Sequence, residues 1–254
     1  MDIQSFEIHF ETSENTTPPY SYAYILKGSI KDKLELHYHV QYTHREDLSL
    51  EEIIDEGFSP NDDLEIQGRV DIMWVEELDL LMRQTKPRQY IQQANIDFLE
   101  VNITHIDGTG NKFFPQNQDL WGYLCEELCQ ALLEEKQVER PLLFKFKKIS
   151  PLESIEYWFM MSFSKRQVML QNKTKKGIPK EKSVGWEYGK KFLELVFKPD
   201  YFAENAQVHE PNKNGFYINI GDELWYEAGK TALNRSQKVD VLGQIEKKVL
   251  EFFV

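Results

Sequence analysis

The chain has 254 residues, 41% apolar and 28% charged, which excludes wholesale disorder and leaves room for one large core or two small ones. Its net charge of −12 disfavours nucleic acid or an anionic membrane as a partner for the whole protein. The charge is segregated: residues 1–100 hold 21 Asp/Glu against 8 Lys/Arg, whereas residues 140–191 hold 13 Lys/Arg against 4 Asp/Glu.

The first clear pattern is Phe6, Ile8 and Phe10 alternating with polar neighbours, a strand over Ile3–Phe10. After a polar connection ending in Pro18-Pro19 comes a β-hairpin from Tyr20 to Arg45. Tyr20, Tyr22, Tyr24, Leu26 and Ile30 share one face of its first arm, and Leu34, Leu36, Tyr38, Val40 and Tyr42 share one face of its second. A three-residue turn, Lys31-Asp32-Lys33, pairs Tyr22 with Tyr42, Tyr24 with Val40, Leu26 with Tyr38 and Ile30 with Leu34. A two-residue turn would set Tyr24 against His39, so the longer turn is preferred.

Ser49-Leu-Glu-Glu52 follows the capping-box pattern and opens a helix near 49–57. Leu64, Ile66 and Val70 suggest a short strand, and Trp74, Leu78, Leu81 and Met82 a helix near 73–85. The stretch Ile91–Ile106 reads as strand, with a bulge expected at Phe98-Leu99 where the alternation changes phase. A turn at Asp107–Asn111 precedes a helix near 119–137 with a wide apolar stripe. Strands follow at Pro141–Lys147 and Ile155–Phe163, the second apolar on both faces as a central strand would be, with Val168–Leu170 as its hairpin partner. Lys173–Ser183 reads as a mobile polar loop, and Trp186–Phe197 fits helix or strand. Phe216–Ile220 is a strand, and Ser236 is a cap for a last helix near 236–253.

This order predicts an α+β fold of mostly antiparallel sheet that begins with a three-stranded meander. One compact domain over 1–254 is expected, with 1–110 and 111–254 as the alternative division. Cys125 and Cys129 stand four apart in a helical pattern, give no disulfide framework and point to a reducing compartment. The start, Met1-Asp2-Ile3-Gln4, lacks the basic and apolar regions of a signal peptide. No apolar run approaches the roughly 18–20 residues that cross a bilayer. The expected protein is cytoplasmic, without membrane contact.

His37 and His39 point the same way along one strand, and His9 has the matching parity on the first strand. If the first strand lay beside the second hairpin arm, these imidazoles with Glu7 and Glu35 could hold a divalent metal; otherwise they are a solvated sheet face. The two cysteines lack the further ligands of a zinc site and read as buried small residues. Asp107-Gly-Thr-Gly-Asn111 has neither phosphate-loop nor calcium-loop spacing and reads as a turn. The pairs Glu51-Glu52, Glu76-Glu77, Glu126-Glu127 and Glu134-Glu135 diverge by about 100° on helices, so they read as solvated faces rather than acid/base dyads. No nucleophile elbow is present.

Nothing here calls for a cofactor, and no motif is specific enough to place the chain in a family. The favoured reading is a non-catalytic interaction protein that recognises a basic protein partner through its acidic N-terminal region, as a monomer or a homodimer. A small-molecule or metal-dependent enzyme on the His37/His39 face is the first alternative. The second is single-stranded nucleic-acid binding through the 140–191 band: Lys145, Lys147, Lys148, Lys165, Arg166, Lys173, Lys175, Lys176, Lys180 and Lys182, with Trp158, Trp186 or Tyr188 for stacking.

Overall fold

The structure, a computed structural model, describes residues 2–90, 93–174, 178–236 and 238–253. The chain forms two compact units, Met1–Arg140 with Phe163–Lys165, and Pro141–Ser162 with Arg166–Val254. The architecture is α+β with antiparallel sheets, and it opens with a three-stranded meander.

In the first unit the meander is β1 (Ile3–Glu11), β2 (Tyr22–Ile30) and β3 (Leu34–Tyr42). The β2–β3 register is Tyr22–Tyr42, Tyr24–Val40, Leu26–Tyr38 and Ile30–Leu34, as the three-residue turn requires. Tyr20 stands before the strand and is exposed, its ring edge-on to Phe58. Ser49 caps α1 (Leu50–Asp55) with both hydrogen bonds of a capping box. Then follow β4 (Leu64–Val70), α2 (Trp74–Gln84), β5 (Pro87–Arg88), β6 (Phe98–His105), β7 (Gly110–Pro115) and α3 (Gln118–Glu135). The seven strands lie in the order β4-β3-β2-β1-β6-β7-β5.

The strand read from Ile91 begins only at Phe98; residues 91 and 92 lie outside the described residues. The expected bulge at Phe98-Leu99 is absent, because Phe10 pairs Leu99 and Glu11 pairs Phe98 in register. The irregularity sits at the other end of the ladder, between Ile3 and Ser5.

One sheet face buries Phe6, Ile8, Leu26, Leu34, Leu36, Val101 and Ile103. Helix α3 lies on it with Leu124, Cys125, Leu128 and Leu132 inward, for its apolar residues recur at helical spacing. Across four strands the row Phe6–Gly28–Leu36–Gly68 alternates large side chain with none. A Cβ on Gly28 would stand 2.1 Å from the Phe6 ring, and one on Gly68 would stand 3.1 Å from Leu132 of α3. Helix and sheet therefore approach closely at Gly68. At Gly122, about three turns earlier on α3, an added Cβ would meet nothing within 4 Å among the described residues. The layers part there.

The second unit contains β8 (Leu142–Ile149), β9 (Ser154–Ser162), β10 (Gln167–Thr174), β11 (Lys180–Val184), α4 (Trp186–Val196), β12 (Asp200–Tyr201), β13 (Gly215–Asn219), β14 (Tyr226–Glu227), β15 (Ala232–Leu233) and α5 (Val241–Leu250). Its main sheet runs β11-β10-β9-β8-β13-β14. Phe144, Phe146, Phe159 and Phe216 share one face, where Phe192 of α4 and Phe252, in the short 3-10 turn that follows α5, complete an aromatic core.

Three expectations change here. β9 is an interior strand, but only Tyr157, Phe159 and Met161 of its apolar residues are buried, and Met160 on the other face is 41% exposed. The lysine-rich stretch 173–183 is mostly hairpin, since β11 pairs β10 from Asn172–Lys180 to Val168–Val184; residues 175–177 lie outside the described residues. Helix α5 starts five residues after Ser236, where the Asp240 carboxylate accepts from Gly243 N at 2.9 Å. Among the described residues no helix is long and apolar enough to cross a membrane.

Candidate functional site

Whether the histidines of the first sheet can share a metal depends on strand order. β2 lies between β1 and β3, so His9 and His39 stand in one row with Ile25 separating them, and Glu7 and His37 stand with Lys27 separating them. The side chains pair with near neighbours instead, some within a strand or turn and some across strands. Glu7 bonds His9 at 2.6 Å and Lys27 at 2.8 Å, Glu35 bonds Lys31 at 2.6 Å and Arg69 at 2.8 Å, and His37 bonds Glu65 at 2.9 Å. The Lys27 ammonium, helped by His9, holds the Glu7 carboxyl below the usual range. A shallow depression of about 450 Å³ on this face is lined by both signs of charge, among them Glu7, Lys27 and Glu35. Among the described residues no group of three His, Cys, Asp or Glu is placed to hold a metal ion.

The basic band is divided rather than continuous. Lys145, Lys147 and Lys173 share one face of the second sheet, while Lys148, Lys180 and Lys182 share the face bearing the helices. Lys147 is buried and bonded to Glu210, Lys148 is bonded to Glu246, and Lys145 lies 5.5 Å from the Trp158 ring centre. Period-two alternation splits a run of lysines between faces, so sequence clustering did not translate into one surface. Of the paired glutamates, Glu134 departs from the solvated reading. It is buried in the first unit and accepts the backbone N–H groups of Phe163 and Ser164, each at 3.1 Å.

Where α3 parts from the sheet, a cavity of about 440 Å³ opens. Its floor is the tyrosine face of the hairpin: Tyr22 and Tyr24 from β2, Tyr38, Val40 and Tyr42 from β3, beside Phe10 of β1. Its roof is one stripe of α3, at Gly122, Cys125, Glu126, Cys129 and Gln130, and Asp62 and Leu64 close the side. Residues four apart on a helix lie one above the other, which is why Gly122, Glu126 and Gln130 line up over the gap. The rings are inclined in pairs, 47° between Tyr22 and Tyr42 and 45° between Tyr24 and Tyr38. Among the described residues the lining contains two carboxylates and no lysine, arginine or histidine.

The electrostatics follow from burial and from those carboxylates. Burial pushes the Cys125 thiol up to about 12 and the Cys129 thiol up to about 11, and it raises all of Tyr22, Tyr24 and Tyr38 above the ordinary phenol value. Glu126 adds to the rise at Tyr22 and at both thiols, so its charge is felt across the cavity. Partial burial raises Asp62, but the Ser59 hydrogen bonds and the Arg45 guanidinium together bring it below the usual range.

Groups that ionise less readily when folded stabilise the fold fully below their unfolded pKa and lose that contribution as pH rises through the folded value. The melting temperature is therefore expected to fall as pH is raised from about 9 to about 11, the window opened by the two thiols. The Cys125→Ala/Cys129→Ala chain should fall less steeply. Identical slopes for the two chains would show that the thiols ionise as freely folded as unfolded.

Tyr22, Tyr24, Tyr38 and Tyr42 were legible as an apolar strand face, and Cys125 as a buried small residue. The cavity was not. The available signal was a core face built of tyrosine rather than of aliphatic residues, together with a glycine inside the α3 stripe. No family model, curated protein or solved structure matches the chain.

Proposed function

We propose that the protein is a non-catalytic binding protein whose first unit recognises a positively charged protein partner. The observation that carries this reading is the cavity under α3, with an aromatic floor, the Glu126 carboxylate on its roof, and among the described residues no basic residue in its lining, while Asp62 at its side is already paired with Arg45. Aromatic surfaces attract cations through the negative face of their rings, and a nearby carboxylate strengthens that attraction. The surrounding charge acts the same way: residues 1–140 hold 28 Asp/Glu against 11 Lys/Arg, a field that accelerates encounter with a basic partner and repels an acidic one.

The test uses the full chain, immobilised, with partners recovered at low salt and identified. A basic protein should be retained with an affinity that drops by about tenfold or more between ~0.05 M and ~0.5 M salt. Glu126→Gln should weaken retention. An acidic partner, or capture indifferent to salt, would overturn the reading.

A further inference from the structure

We infer that the cavity under α3 is a receptor for a guanidinium group, the side chain of an arginine presented by the partner. The inference rests on the proposed recognition of a basic protein and names the group recognised.

Its basis is a guanidinium that the chain already seats on the same aromatic cluster. Arg45 places its guanidinium carbon 3.9 Å from the Tyr42 ring centre and 4.7 Å from that of Phe58. It donates to the Asp62 carboxylate at 2.8 Å and to the backbone carbonyls of Pro19 at 3.0 Å and Ser59 at 3.3 Å. A ring, a carboxylate and carbonyl acceptors are thus the set this protein uses to hold a planar cation.

The cavity beside it offers rings and a second carboxylate. Tyr42 and Asp62 belong both to the Arg45 seat and to the cavity lining. On the cavity side Tyr22 stands 5.8 Å from Tyr42 at an inclination of 47°, Glu126 supplies a carboxylate, and Gln130, whose amide nitrogen donates to Glu139 at 2.7 Å, keeps its amide oxygen as a neutral acceptor. A guanidinium is flat, weakly hydrated and always charged, and its donors lie in one plane. It can lie along a tyrosine ring while its edge meets Glu126 and Gln130. A lysine ammonium is compact and strongly hydrated, and its donors point in three directions. Much of this lining is ring and thiol surface, which cannot replace that hydration. Gly122 makes room for the entering side chain, since even a methyl group there would touch nothing.

The probes are N-acetyl-arginine methylamide and N-acetyl-lysine methylamide, titrated against the full chain by calorimetry and by tyrosine-ring NMR shifts. The arginine probe should bind saturably and shift Tyr22 and Tyr42, with the lysine probe about tenfold weaker. Gly122→Trp, which fills the cavity, should abolish arginine binding. Glu126→Gln, an exposed rim change that leaves the helix intact, should weaken it about tenfold. Equal binding of the two probes, unchanged binding by both variants, or no saturable binding would overturn the inference. If Gly122→Trp still captures the basic partner as strongly as the unaltered chain, the cavity reading falls and the acidic-surface reading stands. Arginine binding without capture of any basic protein would do the reverse.

Discussion

Replacement of Trp121 by alanine is expected to destabilise the first unit by about 3–5 kcal/mol. The side chain is fully buried on α3, packs edge-on to Phe113 of β7 at 6.0 Å, and donates from Nε1 to Thr85 Oγ1 at 3.0 Å. Thr85 in turn is the C-cap of α2 and donates to the Leu81 carbonyl at 2.7 Å. One ring thus links α3, the end of α2 and an outer strand of the sheet, and its removal leaves a cavity that none of them can close alone. Trp121→Phe keeps most of the buried ring surface and loses the hydrogen bond, so its cost should be only about 1–2 kcal/mol. Urea unfolding followed by far-ultraviolet circular dichroism measures both. A Trp121→Ala loss below about 1 kcal/mol would show that α3 does not depend on this ring for docking. Since α3 roofs the cavity, the same change should also abolish binding there.

In the second unit the corresponding change is Phe192→Ala, with an expected loss of about 3–5 kcal/mol. Phe192 is buried on α4, with ring centres of Phe159 at 5.0 Å, Phe252 at 5.2 Å and Phe146 at 5.7 Å. Three aromatic neighbours around one ring make a site that collapses poorly, because each is itself fixed by a strand or helix backbone. The comparison is Phe197→Ala. Phe197 meets Phe144 edge-on at 5.5 Å but is 48% exposed, so its loss should stay below about 1 kcal/mol. Chemical denaturation of the two variants side by side reads the difference. Equal losses would overturn the assignment of Phe192 as the centre of this core.

Local rules accounted for much of the fold. The hairpin register followed from two alternating arms and a turn length, because a slip of one residue reverses every side chain. The capping box at Ser49 and the stripe of α3 were legible for the same reason: both depend on residues within one or two turns. Where local signals competed, they misled. Ser236 was a permissible cap, yet Asp240 caps α5, since any of several polar residues before an apolar stripe satisfies the pattern. The lysines of 173–183 had the composition of a loop, yet Lys180 and Lys182 belong to a strand whose partner supplies the pairing.

By itself the sequence determined which residues share a face: the tyrosine row of the hairpin, the opposite row of Glu35, His37 and His39, and the stripe of α3. Those assignments need only the periods 2 and 3.6, which are properties of a single element. Only the tertiary structure decided which faces meet and how closely. β2 stands between β1 and β3, so the histidines meet carboxylates rather than one another: His9 pairs with Glu7 of its own strand and His37 with Glu65 of β4. α3 touches the sheet at Gly68 and leaves it at Gly122, so tyrosines that read as ordinary core become the floor of a cavity. The distance between two layers is set by the pairs of side chains that cross it, and those pairs lie far apart in the chain.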